Sequence, residues 1–99
     1  MKKVEHKLIF KKSMADLAGN RFGRRIYEDQ VKPFFDSDAE NIVIIPENIS
    51  YVGTSFIQGI YAELSETYGC NEALQKMTLK SDNKETMDKI EKSISIYGV

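Results

Sequence analysis

The side chains able to do covalent or metal chemistry in this sequence are few. The chain has one histidine, His6, and one cysteine, Cys70. A Ser-His-Asp relay needs a histidine held against a nucleophile, and nothing in the sequence sets His6 beside one. His6 lies in a strand-like stretch, where a satisfied or solvated ring is the expected state. Cys70 follows Gly69 at the end of an apolar helical pattern. The negative end of the helix dipole disfavours a thiolate there, so Cys70 is a poor nucleophile. One cysteine and one histidine cannot complete a structural zinc site of the usual kind. The expectation is therefore no enzyme, no metal and no cofactor. A second segment, Gly19-Asn20-Arg21-Phe22-Gly23-Arg24-Arg25, gathers two glycines and three arginines at the start of a helical pattern. Helix N-termini attract anions, and arginine suits bidentate phosphate contacts. The segment is neither a G-x-G-x-x-G turn nor a Walker A loop. Two readings stay open for Arg21, Gly23, Arg24 and Arg25: a solvated turn, or a contact with an anion or an acidic partner. Aromatic interleaving stops at Phe22 and Tyr27, too little for a single-stranded nucleic-acid platform.

The bulk numbers point the same way. A chain of 99 residues suits one domain, spanning 1–99. Hydrophobic residues make up 41% and charged residues 29%, and 14 basic against 15 acidic residues leave a formal net charge of −1. That balance predicts neither nucleic-acid nor membrane binding. A lone cysteine excludes an internal disulfide and fits a reducing, cytoplasmic setting. Met1 to Phe10 does not read as a signal peptide, and no segment approaches the roughly 20 apolar residues of a membrane helix.

Several elements must position these residues. Val4 to Phe10 partly alternates and ends apolar, which predicts a strand. A loop follows from Ser13 toward Asn20, a helix N-cap. Phe22, Ile26, Val31 and Phe34 or Phe35 then recur at near-helical spacing until Pro33 ends the pattern between Lys32 and Phe35. Asp36-Ser37-Asp38 is a turn. Ile42, Val43, Ile44 and Ile45 form a β-branched run that fits a strand covered on both faces, at the centre of a sheet. After Pro46-Glu47-Asn48, Ile49 to Gly53 reads as an extended link. Ser55 and Gln58 make a capping-box pattern ahead of a helix whose stripe is Phe56, Ile57, Ile60, Tyr61, Leu64 and Tyr68, closed by Gly69. Leu74 to Leu79 reads as a weaker strand with Met77 inward. Asp82 and Glu85 make a second capping box before a last helix buried at Met87, Ile90 and Ile94. The β-α-β-α-β-α order predicts an α/β fold with a mixed or largely parallel sheet.

The segment Ile42 to Leu64, IVIIPENISYVGTSFIQGIYAEL, resembles the STAS-like domain family, relatives of the anti-sigma-factor antagonists. The likeness lies in a hydrophobic strand, Ile42 to Ile45, a short link, and the turn Gly53-Thr54-Ser55-Phe56 opening a helix. Arg21 to Arg25 is loosely similar to a segment ahead of the family's first long helix. The sequence departs from the family pattern at Ile45-Pro46, where an aspartate is expected, and at Gln58 and Gly59, where acidic residues are expected. The resemblance implies a sheet of four strands or fewer, with helices mainly on one face, and a role in protein–protein regulation. It also implies that a hydroxyl at the start of this helix, Thr54 or Ser55, is phosphorylated to break partner binding.

Two roles for Ser55 stand side by side: a plain helix cap worth about 1 kcal/mol, or a phosphorylation switch. The expected partner is another protein, such as a kinase-like regulator, or a second copy of the chain. The alternatives are a small ligand- or nucleotide-binding domain using Gly19 to Arg25, and a structural homo-oligomerisation domain. Along the helix, Ser55, Gly59, Ala62 and Glu66 fall on one side. With Gly53 and Phe56 they are the candidate docking residues. A helix-interior glycine calls for a close neighbour, which is either the same chain or a partner.

Overall fold

The computed structural model describes residues 2–99, and Met1 lies outside them. Three strands, β1 (Lys3–Lys7), β3 (Glu40–Ile45) and β5 (Met77–Ser81), form a parallel sheet in the order β1-β3-β5. Two two-residue strands, β2 (Asp16–Leu17) and β4 (Tyr51–Val52), pair in parallel apart from it. The helices are α1 (Asn20–Ile26), α2 (Thr54–Tyr68), α3 (Cys70–Lys76) and α4 (Lys84–Tyr97). Strand order follows chain order. Both crossovers therefore step in one direction and leave α1 and α2 on the same face, packed against each other. The class is α/β, as the alternation of elements predicts.

Strand alternation sorts the residues between the two faces. His6, Leu8, Val43, Ile45, Met77 and Leu79 are buried beneath the helices, with Phe56, Ile57, Ile60, Tyr61 and Ile90 packed over them. The other face carries Lys3, Glu5, Lys7 and Lys80, all exposed. Ile42 and Ile44 lie on that face and outside the main core. The run Ile42–Ile45 does occupy the central strand, but helices cover only one of its faces. Ile42 is still only 6% exposed, because its cross-strand neighbours Glu5 and Thr78 flank it.

One buried polar group ties the N-terminal ends of the strands together. The Asn41 amide Nδ2 donates to the carbonyls of Asp36 (2.8 Å), Lys76 (3.1 Å) and Ala39 (3.2 Å). Three acceptors fix the orientation of the amide, so its Oδ1 faces the Asp36 N–H and His6 Nε2, the latter at 2.9 Å. His6 Nε2 therefore donates, and the histidine is a satisfied strand residue. Beside this network the Lys2 ammonium, hydrogen-bonded at 2.8 Å, holds the Asp36 carboxyl below its ordinary pKa.

Several sequence expectations shift. The first strand ends at Lys7, not Phe10. Just beyond it, the Gln30 carboxamide accepts from Ile9 N–H at 2.7 Å and donates to Ile9 C=O at 2.9 Å. The helix from Arg21 does not run uniformly to Phe35. After Ile26 it widens into a π-helical segment, Tyr27–Val31, then tightens into a 3-10 turn, Lys32–Phe34, that holds Pro33 near its start. Asn20 is the first helical residue rather than the cap; Gly19, at φ 95°, precedes it. Cys70 is the first residue of α3 rather than a residue trailing α2, and α3 continues through Leu74 to Lys76, so the strand begins only at Met77. Neither predicted capping box forms. Gly53 is the N-cap of α2 with no side-chain cap, and the α4 cap is Asn83, whose side chain accepts from Thr86 N–H at 3.3 Å.

Candidate functional site

Two regions hold the residues singled out by sequence: the crossing of α1 and α2, and the head of α2. At the crossing the two backbones meet. A Cβ on Gly23 would overlap the Phe56 carbonyl oxygen and stand 2.7 Å from the Ile60 nitrogen. A Cβ on Gly59 would overlap the Asn20 carbonyl oxygen and stand 2.9 Å from its carbon. Each helix thus spends a glycine on the other, although a glycine in a helix costs about 1 kcal/mol relative to alanine. Phe22, reaching across to Phe56 at 5.6 Å between ring centroids and to Phe10 at 6.2 Å, flanks the crossing.

This corrects the docking stripe. Gly59 is buried under α1 of the same chain, and Phe56 is fully buried in the core. Gly53 is also buried, its N–H donating to the Leu17 carbonyl at 2.8 Å. Glu66 is exposed but accepts from Arg24 Nη2 at 3.1 Å, and Ala62 is half-buried. These residues do not form one open face.

The arginines do not converge either. Gly23 faces α2, Arg24 turns to Glu66 and Asn20, Arg25 lies 3.9 Å from Asp29, and Arg21 is exposed. The cleft between the helices, about 300 Å³, is lined by Arg24 and Arg25 but equally by Glu28 and Glu63. Lys32 bridges those two carboxylates at 3.5 and 3.0 Å, and its hydrogen bond to Glu63 raises its pKa. Tyr27, at the bottom of the cleft, has its phenol pushed up to about 12 by burial and then by Glu63. An anion would meet as many negative as positive groups here. The geometry gives the Gly19–Arg25 segment a packing and ion-pair role.

The head of α2 is different. Thr54 is half-buried, its Oγ1 hydrogen-bonded to Ser93 Oγ of α4 at 2.9 Å. Ser55, the second residue of the helix, is exposed and caps nothing. Two residues before the Gly53 cap, Tyr51, 47% exposed, lays its ring over Gly53, whose Cβ position is 3.2 Å from the phenol oxygen. Tyr51 and Ser93 were not legible as part of this site, because the pair β2–β4 and the docking of α4 that deliver them are long-range. A second concavity, about 290 Å³ and apolar, lies between β5 and α4 and is lined by Leu74, Met77, Met87, Ile90 and Ile94. Among the described residues, no group of three histidine, cysteine, aspartate or glutamate side chains is placed to hold a metal ion. No described helix is long and apolar enough to cross a membrane.

Comparison with known proteins finds no family model, no curated protein and no solved structure that matches this chain.

Proposed function

We propose that this chain is a non-catalytic protein-interaction module of the STAS-like kind, working in the cytoplasm, whose regulated contact is the head of α2. The observation that carries this reading is Ser55. It stands exposed in the first turn of a 15-residue helix, with no capping role to account for it. The first-turn N–H groups beside it lack intrahelical partners and carry the positive end of the helix dipole. A phosphate on Ser55 Oγ would be stabilised there without disturbing the core. It would also bring a charge of roughly −2 two residues from Gly53, over which the half-exposed Tyr51 ring lies. Half-exposed tyrosines are frequent anchors in interfaces, and an added dianion beside one opposes association with an apolar partner surface. Thr54 is the weaker candidate for modification, since its hydroxyl is held by Ser93. The partner fitting this reading is a protein such as a kinase-like regulator.

The test is quantitative capture from the native host with four baits: the parent chain, Ser55→Ala, Ser55→Glu and Tyr51→Ala. The proposal expects one set of proteins retained by the parent and by Ser55→Ala. It expects that set depleted about tenfold, or about 1.4 kcal/mol, on the Ser55→Glu and Tyr51→Ala baits. Equal capture by all four, with all four folded, would mean that the head of α2 is not the contact.

A further inference from the structure

The two edges of the sheet are finished differently. The bonds Leu8 N–H to Ile44 C=O and Glu40 N–H to Lys2 C=O show that the even residues of β1 face β3. The backbone groups of Lys3, Glu5 and Lys7 therefore face outward. By the same alternation Met77, Leu79 and Ser81 face outward from β5. Two of these three residues on the β5 edge, Met77 and Ser81, are engaged by the chain itself. Met77 N–H donates to Ala73 C=O, Met77 C=O accepts from the buried Tyr61 hydroxyl at 2.7 Å, and Ser81 N–H meets Met87 Sδ at 3.4 Å. Beyond the end of β1 the Gln30 carboxamide occupies both backbone groups of Ile9. Among the described residues, no hydrogen bond reaches the outward backbone groups of Lys3, Glu5 and Lys7, and an open edge is a template for another strand.

We propose that the occupant is a second copy of this chain, its β1 pairing antiparallel with β1 about a two-fold axis at Val4, to give a continuous six-stranded sheet. Charge selects the partner and the register. Lys3, Glu5 and Lys7 alternate in sign on the exposed face of the sheet. Pairing about Glu5 sets Glu5 against Glu5 and Lys3 against Lys7, and like charges directly opposite repel. Pairing about His6 matches Glu5 with Lys7 but runs residue 3 of the second copy along Ile9, where Gln30 already sits. Pairing about Val4 sets Lys3 opposite Glu5 on both sides of the axis. It uses the free backbone groups of both residues and brings the two half-buried Val4 side chains together. This surface is separate from the head of α2, so the two proposals fail independently.

Sedimentation analysis of the full chain, from micromolar to submillimolar concentration, tests the pairing. The parent is expected to form a dimer. Glu5→Lys puts lysines opposite lysines and Lys3→Glu puts glutamates opposite glutamates. Each variant alone is expected to raise the dissociation constant about tenfold or more. Mixed in equal amounts, the two variants restore complementarity and are expected to form a heterodimer as tight as the parent dimer. Both positions are exposed, and a melting curve for each variant checks that it is folded. A monomeric parent, dimers unaffected by either substitution, or a mixture no tighter than its components would each overturn the proposal.

Discussion

The crossing of α1 and α2 and the head of α2 lie within a few residues of each other, yet the chain treats them in opposite ways. At the crossing, Gly23 and Gly59 let two backbones meet with no side chain between them. At the head, a serine and a tyrosine stand exposed, and the helix start is capped by no side chain. Both regions looked functional in the sequence, one for its glycine and arginines and the other for its hydroxyls. The difference teaches how to read such signals. A glycine inside a helix marks the place where something comes close, and here the neighbour is the same chain. A polar residue at a helix start is explained by capping only when it occupies the cap, and Ser55 is two positions past it.

Filling the crossing is the largest way to break this comparison. Gly23→Ala adds a Cβ against the carbonyl of Phe56 and the nitrogen of Ile60, both backbone atoms that cannot rotate away. The helices must separate over a packed core. We expect destabilisation by about 3 kcal/mol, read as a fall of more than about 10 °C in melting temperature. A loss under about 1 kcal/mol would show the crossing to be loose.

A smaller effect separates true caps from apparent ones. Asn83→Ala removes the acceptor for Thr86 N–H at the start of α4 and is expected to cost about 1 kcal/mol in denaturant titration. Asp82→Ala, at the cap position expected from sequence, touches no cap and is expected to stay within about 0.5 kcal/mol of the parent. Equal losses would mean that the α4 cap is shared or misassigned.

Much of the fold was legible in the sequence, for local reasons. The β-branched run Ile42–Ile45 and the wide apolar stripe of Phe56, Ile57, Ile60, Tyr61 and Leu64 carry their own periodicity. Both formed the elements expected, in the expected α/β order. Helix boundaries were harder. Asn83 and Asp82 are both good caps in isolation, and the choice between them follows from where β5 ends. The short pair β2–β4 left no signal, because two residues on each side show no alternation. Leu74 looked like part of a strand because Leu74 to Leu79 is apolar enough for either state. Packing of Ala73 into the core decided for the helix. At the candidate site, Thr54 and Ser55 could be named from sequence. Their unlike surroundings could not, since Ser93 reaches Thr54, and Leu17 reaches the Gly53 cap before it, from far along the chain.

The central claim is that the α1–α2 crossing is closed by this chain while the head of α2 is left free. Thermal melts of Gly59→Arg and Ser55→Glu, run side by side with the parent, test both halves at once. Gly59→Arg must drive a long charged side chain into the Asn20 backbone, and the account predicts loss of the cooperative transition. Ser55→Glu adds a charge at an exposed, dipole-favoured position, and the account predicts a melting temperature equal to or slightly above the parent's. A folded Gly59→Arg with an unchanged melt, or a Ser55→Glu that unfolds, would contradict it.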